Sequence, residues 1–556
     1  MKRQKGLGAA LCLAALFSML AASKPGALIP RQVLFGNPDK AGAQISPDGS
    51  KLSFLAPLDG VLNIWVAPAG KPASAKPVTH DTGRGVRQYF WAYTNHHILY
   101  LQDKNGDENW RIYAVDLDIW KTMDLTPVEK VQARVQEVSY KYPDEILIGL
   151  NDRNPQLHDI YRLNVLTGDK QLLEENQRFV GYVSDDDYTL RFALSPTPEG
   201  GFDLFEKTSA GDWQLYSKIP QEDSLTTSPA GFDKTNRVLY MIDSRRRNTA
   251  ALTSINLDTG ETALIAEDEK ADISDAMAHP TEKTVQAAAF TYERKHWIIL
   301  DHRIDKDFAY LGKLAEGDFE VLSRTLDDSK WVVAYIQDAG PVRYYLYDRK
   351  KGKAKYLFTN RKSLEGVTLA KMKPVTIPSR DGLNLVSYLS IPPDIESGSA
   401  GWPEHPLPMV LVVHGGPWAR DDWGYHPWHQ WLTNRGYAVL SVNYRGSTGF
   451  GKDFTNAGNR EWGGKMHLDL LDATQWAVQM GIADPKRIAI MGGSYGGYAT
   501  LVGITMTPEA FSCGVDLVGP SNLVTFMNAI PPYWKPVMDL FVARIGDHRT
   551  EEGRTF

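Results

Sequence analysis

Seven short strings with alternating apolar and polar positions recur along the first part of the chain. They begin at Asn63 (NIWVAP), Arg111 (RIYAVD), Asp159 (DIYRLN), Asp203 (DLFEKT), Ala251 (ALTSIN), His296 (HWIILD) and Arg343 (RYYLYD), at steps of 48, 48, 44, 48, 45 and 47 residues. Alternation of this kind predicts strands. Four strands of about five or six residues, with their turns, fill such a step, so each repeat predicts one four-stranded propeller blade. Ser46-Pro47-Asp48-Gly49 is a tight turn that feeds a strand at 51–54, and 233–240 and 327–335 repeat the plan. Thr167-Gly168, Thr259-Gly260 and Lys351-Gly352 each follow a copy of the string, as hairpin turns do. Seven strings predict seven blades; an irregular β-sandwich with accidental spacing is the alternative.

From about Lys371 the pattern changes. Residues 375–393 read as two strands joined at Asp381-Gly382. Residues 409–413, 437–442 and 487–491 are continuous apolar runs, the mark of strands buried on both faces. Between the last two, Leu470, Ala473, Ala477 and Met480 fall at helical spacing. Strand, helix and strand in this order predict a parallel α/β sheet.

Charge narrows the function classes. The 556 residues carry 61 basic and 67 acidic side chains, a net charge of −6, with 43% hydrophobic residues. That balance belongs to a globular chain and disfavours nucleic-acid binding by charge or a polytopic membrane protein. Residues 1–23 form a separate address: Lys2, Arg3 and Lys5, an apolar run over 7–22, then Ala21, Ala22 and Ser23. This predicts a cleaved secretory signal, a mature chain starting near Ser23 or Lys24, and a periplasmic or secreted protein, with a retained anchor as the alternative. Leu11 before Cys12 makes a poor lipoprotein site. No later apolar run approaches the length of a membrane span. With Cys12 removed, Cys513 alone remains, and no disulfide forms within the mature chain.

The strongest chemical signal is Gly492-Gly493-Ser494-Tyr495-Gly496-Gly497, directly after the apolar run and before a helix-compatible stretch. G-x-S-x-G in a strand-turn-helix context is the nucleophile elbow of α/β-hydrolases, so Ser494 is the candidate nucleophile. His414-Gly415-Gly416-Pro417 follows the 409–413 run where such enzymes carry their oxyanion loop. The amides of Tyr495 and Gly416 are the candidate oxyanion donors. His414 reads equally as a further donor or as a packed structural residue.

On these motifs the chain resembles the prolyl oligopeptidase family of serine peptidases, nearest its acylaminoacyl-peptidase and dipeptidyl-peptidase-like bacterial branch. The resemblance rests on GDENWRIYAVDL (106–117), HGGPW, NYRGSTGFG (443–451), ADPKRIAIMGGSYGGYA (483–499) and PPYW (531–534). After the signal peptide read at 1–23, it implies an all-β seven-bladed propeller over 24–362 and an α/β-hydrolase domain over 363–556 that lacks its last strands. It also implies an active site between the two and short peptides as substrates. No cofactor, metal or nucleic-acid partner is expected. The family builds the pocket for the residue before the scissile bond from aromatics, so Tyr495, Tyr533 and Trp534 are expected to line it; Trp534 reads equally as core. An esterase on the same serine and a non-catalytic propeller-based binding protein are the alternative functions.

Several motifs are read as structural. The stretch 103–109 begins like a calcium loop, but its glycine and twelfth position are wrong, and it is assigned to a blade turn. The loop 446–452 lacks the Ser or Thr of a phosphate cradle. Dipeptidyl peptidases clamp the substrate amine with paired glutamates; Glu174-Glu175 is the one such pair in the propeller and is assigned to an exposed strand end. Cys513 is expected as a small core residue of a buried strand. Only 62 residues follow Ser494, and the order in α/β-hydrolases is serine, acid, histidine. Asp516 comes too soon to be the acid, and His548 lies in a charged stretch unlike a base. The expectation is therefore a chain cut short of its last strands, lacking the triad acid and histidine and inactive as written.

Overall fold

The computed structural model describes residues 27–395 and 402–555; the leader reading over 1–23, with Cys12, lies outside them. Seven small antiparallel sheets follow in chain order, and each is made from one contiguous stretch of chain. The seven repeated strings are the third strands of these sheets: Val61–Pro68, Arg111–Asp116, Leu157–Asn164, Phe202–Lys207, Ala251–Asn256, Lys295–Ile299 and Arg343–Asp348. First strands meet where blade one closes on blade seven (Ala41–Ile45 with Asp318–Arg324) and where Gly181–Ser184 touches Ala133–Val138 and Ser228–Phe232, which places the first strands at the axis. The ring closes without exchange of a strand. Blade one meets blade seven through Ile45 N–H to Ser323 Oγ (3.0 Å) and Leu326 N–H to the Pro47 carbonyl (2.7 Å).

The sixth blade departs from the four-strand plan. It has three strands, Ile273–Ala278, Val285–Thr291 and Lys295–Ile299, and then the helix Asp305–Leu314. Phe308 and Leu311 of that helix pack with Trp331, Tyr335 and Tyr347 of blade seven. The helix thus buries the apolar surface that a fourth strand would otherwise cover.

The sheet of the C-terminal unit has six strands in the spatial order Met372–Pro378, Asn384–Ser390, Ala438–Val442, Leu407–Val413, Ala483–Gly493, Cys513–Leu517. The last four are mutually parallel, and the first two add antiparallel. Val410, Leu411, Val412 and Val413 are all buried, as a strand covered on both faces requires. Cys513 does not fit the expectation of a core residue. Its strand pairs only with Ala483–Gly493 among the described residues, and Cys513 itself is exposed. An apolar strand composition reports the face it is built for, not the neighbours it has.

The two units are joined by specific polar contacts. Arg420 donates to the carbonyls of Thr291 (2.7 Å) and Tyr292 (2.9 Å), and Lys452 pairs with Asp223 at 2.7 Å. Arg544, buried, donates to the Gln221 carbonyl (2.9 Å) and Ser224 Oγ (3.1 Å). The first described residues, placed with the propeller on sequence, pack on the hydrolase unit instead. Ile29 and Leu34 share a core with Leu364 and Leu369, and Ile29 N–H donates to Asn434 Oδ1.

Candidate active site

The strand Ala483–Gly493 runs straight into Ser494, and the helix Tyr495–Met506 begins at the next residue. Ser494 has φ 56° and ψ −119°, a conformation that costs an L-residue of order 1–3 kcal/mol. What holds it there is contact on every side. Ser494 N–H donates to the Leu517 carbonyl (2.9 Å), and its own carbonyl accepts from Tyr498 N–H (3.0 Å). A Cβ on Gly496 would stand 2.1 Å from the Val413 carbonyl oxygen, and one on Gly492 would stand 2.5 Å from the Gly496 carbonyl. Only glycine lets strand and helix approach this closely. The outcome is an exposed serine at the carboxyl edge of a parallel sheet.

Tyr495 N–H is one of the first amides of the helix and has no intrahelical acceptor, so it is free to donate beside Ser494. The loop after Leu407–Val413 approaches through Gly415, where a Cβ would lie 3.4 Å from Ser494 Cβ and 3.0 Å from the Gly493 carbonyl. Gly416, with φ 126°, follows at the turn into Trp418 and Ala419. The glycine against the serine is therefore one residue before the candidate donor.

His414 is engaged away from the serine. Its Nδ1 is 2.8 Å from the Gly415 carbonyl, which only accepts, so Nδ1 carries the ring proton; Nε2 lies 2.9 Å from Ser447 Oγ, which also stands 2.7 Å from the Tyr444 carbonyl and has one proton for the two. Burial holds the ring neutral and pushes its pKa down to about 4. Of the two sequence readings, this arrangement is the structural one. Ser494 Oγ has no side-chain hydrogen bond among the described residues. Asp516 accepts from Gly519 N–H (2.8 Å) and closes the turn after its strand.

The pocket expectations divide. The side chain of Tyr495 corrects its reading: the residue is 3% exposed, packed against Trp462, Tyr444 and Tyr498, with its hydroxyl toward Met466 Sδ. Its ring is core, and burial raises its pKa well above the usual value. Trp534 is 43% exposed, which removes the core reading for it. Tyr533 and Trp534 line a cavity of about 250 Å³ whose other wall is propeller, including Arg134, His158, Phe179 and Tyr182. Trp534 stacks on Phe541 (5.8 Å), and Phe541 meets Trp418 of the loop that follows Leu407–Val413 (5.5 Å).

Sequence reasoning missed the residues that join this cavity to the propeller. Tyr533 donates to Glu108 Oε2, and Glu108 belongs to the GDENW string of the second blade. Glu174 is spent elsewhere, accepting from Lys207 and from Trp213 Nε1 of the neighbouring fourth blade. Glu175 is exposed beside Gln177. In the 103–109 turn Asp103 accepts from Glu108 N–H and pairs with Arg84 at 2.9 Å. Lys452 of the 446–452 loop reaches the propeller rather than any phosphate-like cradle. Among the described residues no group of three or more His, Cys, Asp or Glu side chains is placed to hold a metal ion, and no helix is long and apolar enough to cross a membrane.

A strained, exposed serine between strand and helix, under a seven-bladed propeller, defines an α/β-hydrolase of the serine-nucleophile class. The sequence profile of the prolyl oligopeptidase family matches residues 423–542. The chain is 51% identical over 528 residues to dipeptidyl aminopeptidase BIII of Pseudoxanthomonas mexicana, covering 95% of this chain and 77% of that protein. It is 36% identical to dipeptidyl peptidase family member 6 of Caenorhabditis elegans, covering 95% and 75%. A puromycin-hydrolyzing peptidase of Mycobacterium tuberculosis has the same fold, with a TM-score of 0.70 at 18% identity over 94% of this chain and 84% of that one. The chain belongs to the prolyl oligopeptidase family, and it is a serine peptidase acting on peptides. These likenesses lend no support to the esterase, the binding-protein or the inactive reading.

Proposed function

We propose that the protein is an exported serine peptidase that releases dipeptides from the free amino end of short peptides, with Ser494 as nucleophile. The observation that carries the site assignment is the strained, exposed Ser494 beside an unpaired helix-start amide. The names of the two relatives, both dipeptidyl peptidases, support the dipeptide unit. The charge and apolar pattern of residues 1–23 supports export.

In this reading Ser494 Oγ attacks the scissile carbonyl and gives up its proton, the C–N bond breaks as the departing amine takes up a proton, and water later cleaves the acyl ester, leaving the free acid and returning a proton to Oγ. The developing oxyanion takes hydrogen bonds from Tyr495 N–H and from Gly416 N–H of the facing loop, each worth roughly 3–4 kcal/mol in the transition state. The neutral His414, held by Ser447 and the Gly415 carbonyl, fixes that loop without adding charge to it. Trp534 and Tyr533 offer apolar surface on the approach.

Fluorophosphonate labelling tests the nucleophile: label is expected on Ser494 and lost in Ser494→Ala, and undiminished label in that variant would refute it. A dipeptidyl anilide should turn over faster than its N-acetylated form and faster than an acyl ester. Equal turnover of the free and acetylated anilides would refute the dipeptidyl unit.

A further inference from the structure

The lining of the cavity shared by propeller and hydrolase includes one charged side chain, Arg134, which has no ion-pair partner among the described residues. Arg134 lies on Ala133–Val138, the axial strand of the third blade, and is exposed into the cavity. Its Nε donates to Gln132 Oε1 (3.0 Å), while Gln132 Nε2 donates to the Glu108 carbonyl (3.1 Å). That leaves both Nη groups without a hydrogen-bond partner, and Arg134 joins no ion pair among the described residues. The Glu108 side chain accepts from the hydroxyl of Tyr533, which lines the same cavity.

The rest of the wall is neutral. His158 lines the cavity, and its buried Nε2 has no hydrogen-bond partner. Burial and the charge of Arg134 hold that imidazole neutral, with its pKa pushed down to about 3. Gln156 adds an amide, and Phe179 and Trp534 add aromatic faces. A guanidinium fork held at Nε, with both outer nitrogens open, matches the two oxygens of a carboxylate. The row Trp534, Phe541, Trp418 leads from this fork to the loop that faces Ser494.

We propose that Arg134, with His158 beside it, forms a subsite that binds a carboxylate of the peptide substrate across the domain interface. The inference rests on the peptidase reading. Two sources share this chemistry, the free carboxyl end of a short peptide and an acidic side chain near its amino end.

The test is equilibrium binding to the full chain carrying Ser494→Ala, by titration calorimetry, so that no turnover is needed. One arm compares tetra-alanine as free acid with its carboxyl-terminal amide; the other compares amidated Ala-Glu-Ala-Ala with amidated Ala-Gln-Ala-Ala. In at least one arm the acid should bind about tenfold more tightly than its neutral partner, the scale of one charge-assisted fork. The arm that discriminates identifies the source. Arg134→Gln should abolish the preference and Arg134→Lys should restore part of it, with Arg134→Met in reserve if the first variant does not fold. Acid-to-neutral ratios within twofold in both arms, a ratio that survives Arg134→Gln, or no saturable binding of any of the four peptides would overturn the proposal. Failure of the peptidase reading is seen separately, as absence of fluorophosphonate label on Ser494.

Discussion

The imidazole of His414 lies parallel to the ring of Tyr444, with centroids 4.5 Å apart and 15° between planes. The Tyr444 hydroxyl donates to the His414 carbonyl at 3.0 Å. His414, which opens the loop facing Ser494, is thus held by Tyr444 and Ser447, 30 and 33 positions later in the chain, and by the carbonyl of its own neighbour Gly415.

This clamp has a pH signature. His414 has a folded-state pKa of about 4 against 6.5 for the free side chain. Its contribution is fully present above pH 6.5 and is lost as pH falls through 4, because the unfolded chain takes up the proton first. The size is up to about 3 kcal/mol. Urea unfolding followed from pH 7 to pH 4 should show stability falling, with a shallower fall in His414→Gln; equal slopes would mean that His414 is not held neutral.

Ser494 stores strain that the proposed nucleophile role uses. Glycine adopts a positive φ without the cost an L-residue bears. Ser494→Gly should therefore raise stability by about 1–2 kcal/mol while fluorophosphonate labelling disappears. Thermal unfolding of the two proteins side by side reads the first effect. A lower melting temperature in the glycine variant would mean that the serine conformation is not strained.

The three glycines nearest the serine are not equivalent. Gly496→Ala would press a methyl group onto the Val413 carbonyl at 2.1 Å, whereas the nearest atom to a Cβ on Gly493 is 3.8 Å away. Gly496→Ala should leave the hydrolase unit sensitive to limited proteolysis, and Gly493→Ala should resemble the parent protein. Equal resistance in both would contradict the close approach of strand and helix.

Much of the fold was legible because a half-buried strand imposes alternation on its residues. The third strand of each blade carries the clearest alternation, and all seven repeated strings fall on those strands. The helix Asp305–Leu314 broke the four-strand rule, since its buried Phe308 and Leu311 are spaced for a helix within a propeller repeat. Ser494 was legible because strand, glycines and helix are local in sequence. The burial of Tyr495 was not, since its neighbours Tyr444 and Trp462 come from distant loops. Glu108 stood inside a motif that had been noticed, but its partner Tyr533 lies 425 positions away. Arg134 carried no local signal: an arginine on an axial strand becomes informative only when the cavity it faces is known.

Arg445, at the head of the loop that carries Ser447, separates a buried from an exposed ion pair within one side chain. Its guanidinium is 3% exposed and bonds Asp469 (1% exposed) through Nε and Nη2, while Nη1 and Nη2 reach Asp381 (42% exposed). Removing the buried carboxylate leaves an arginine charge without compensation in a dry site, which costs about 3–5 kcal/mol. Removing the exposed one forfeits an interaction that water already screens, worth about 1 kcal/mol or less. Asp469 also accepts Arg445 N–H at 2.8 Å, so the same carboxylate holds both the guanidinium and the backbone that leads to Ser447 and, through it, to His414. Asp469→Asn should therefore lower both stability and the rate of fluorophosphonate labelling, whereas Asp381→Asn should leave the labelling rate nearly unchanged. Denaturant unfolding and labelling time courses of the two variants check this, and equal losses in both would show that burial does not set the strength of the pair.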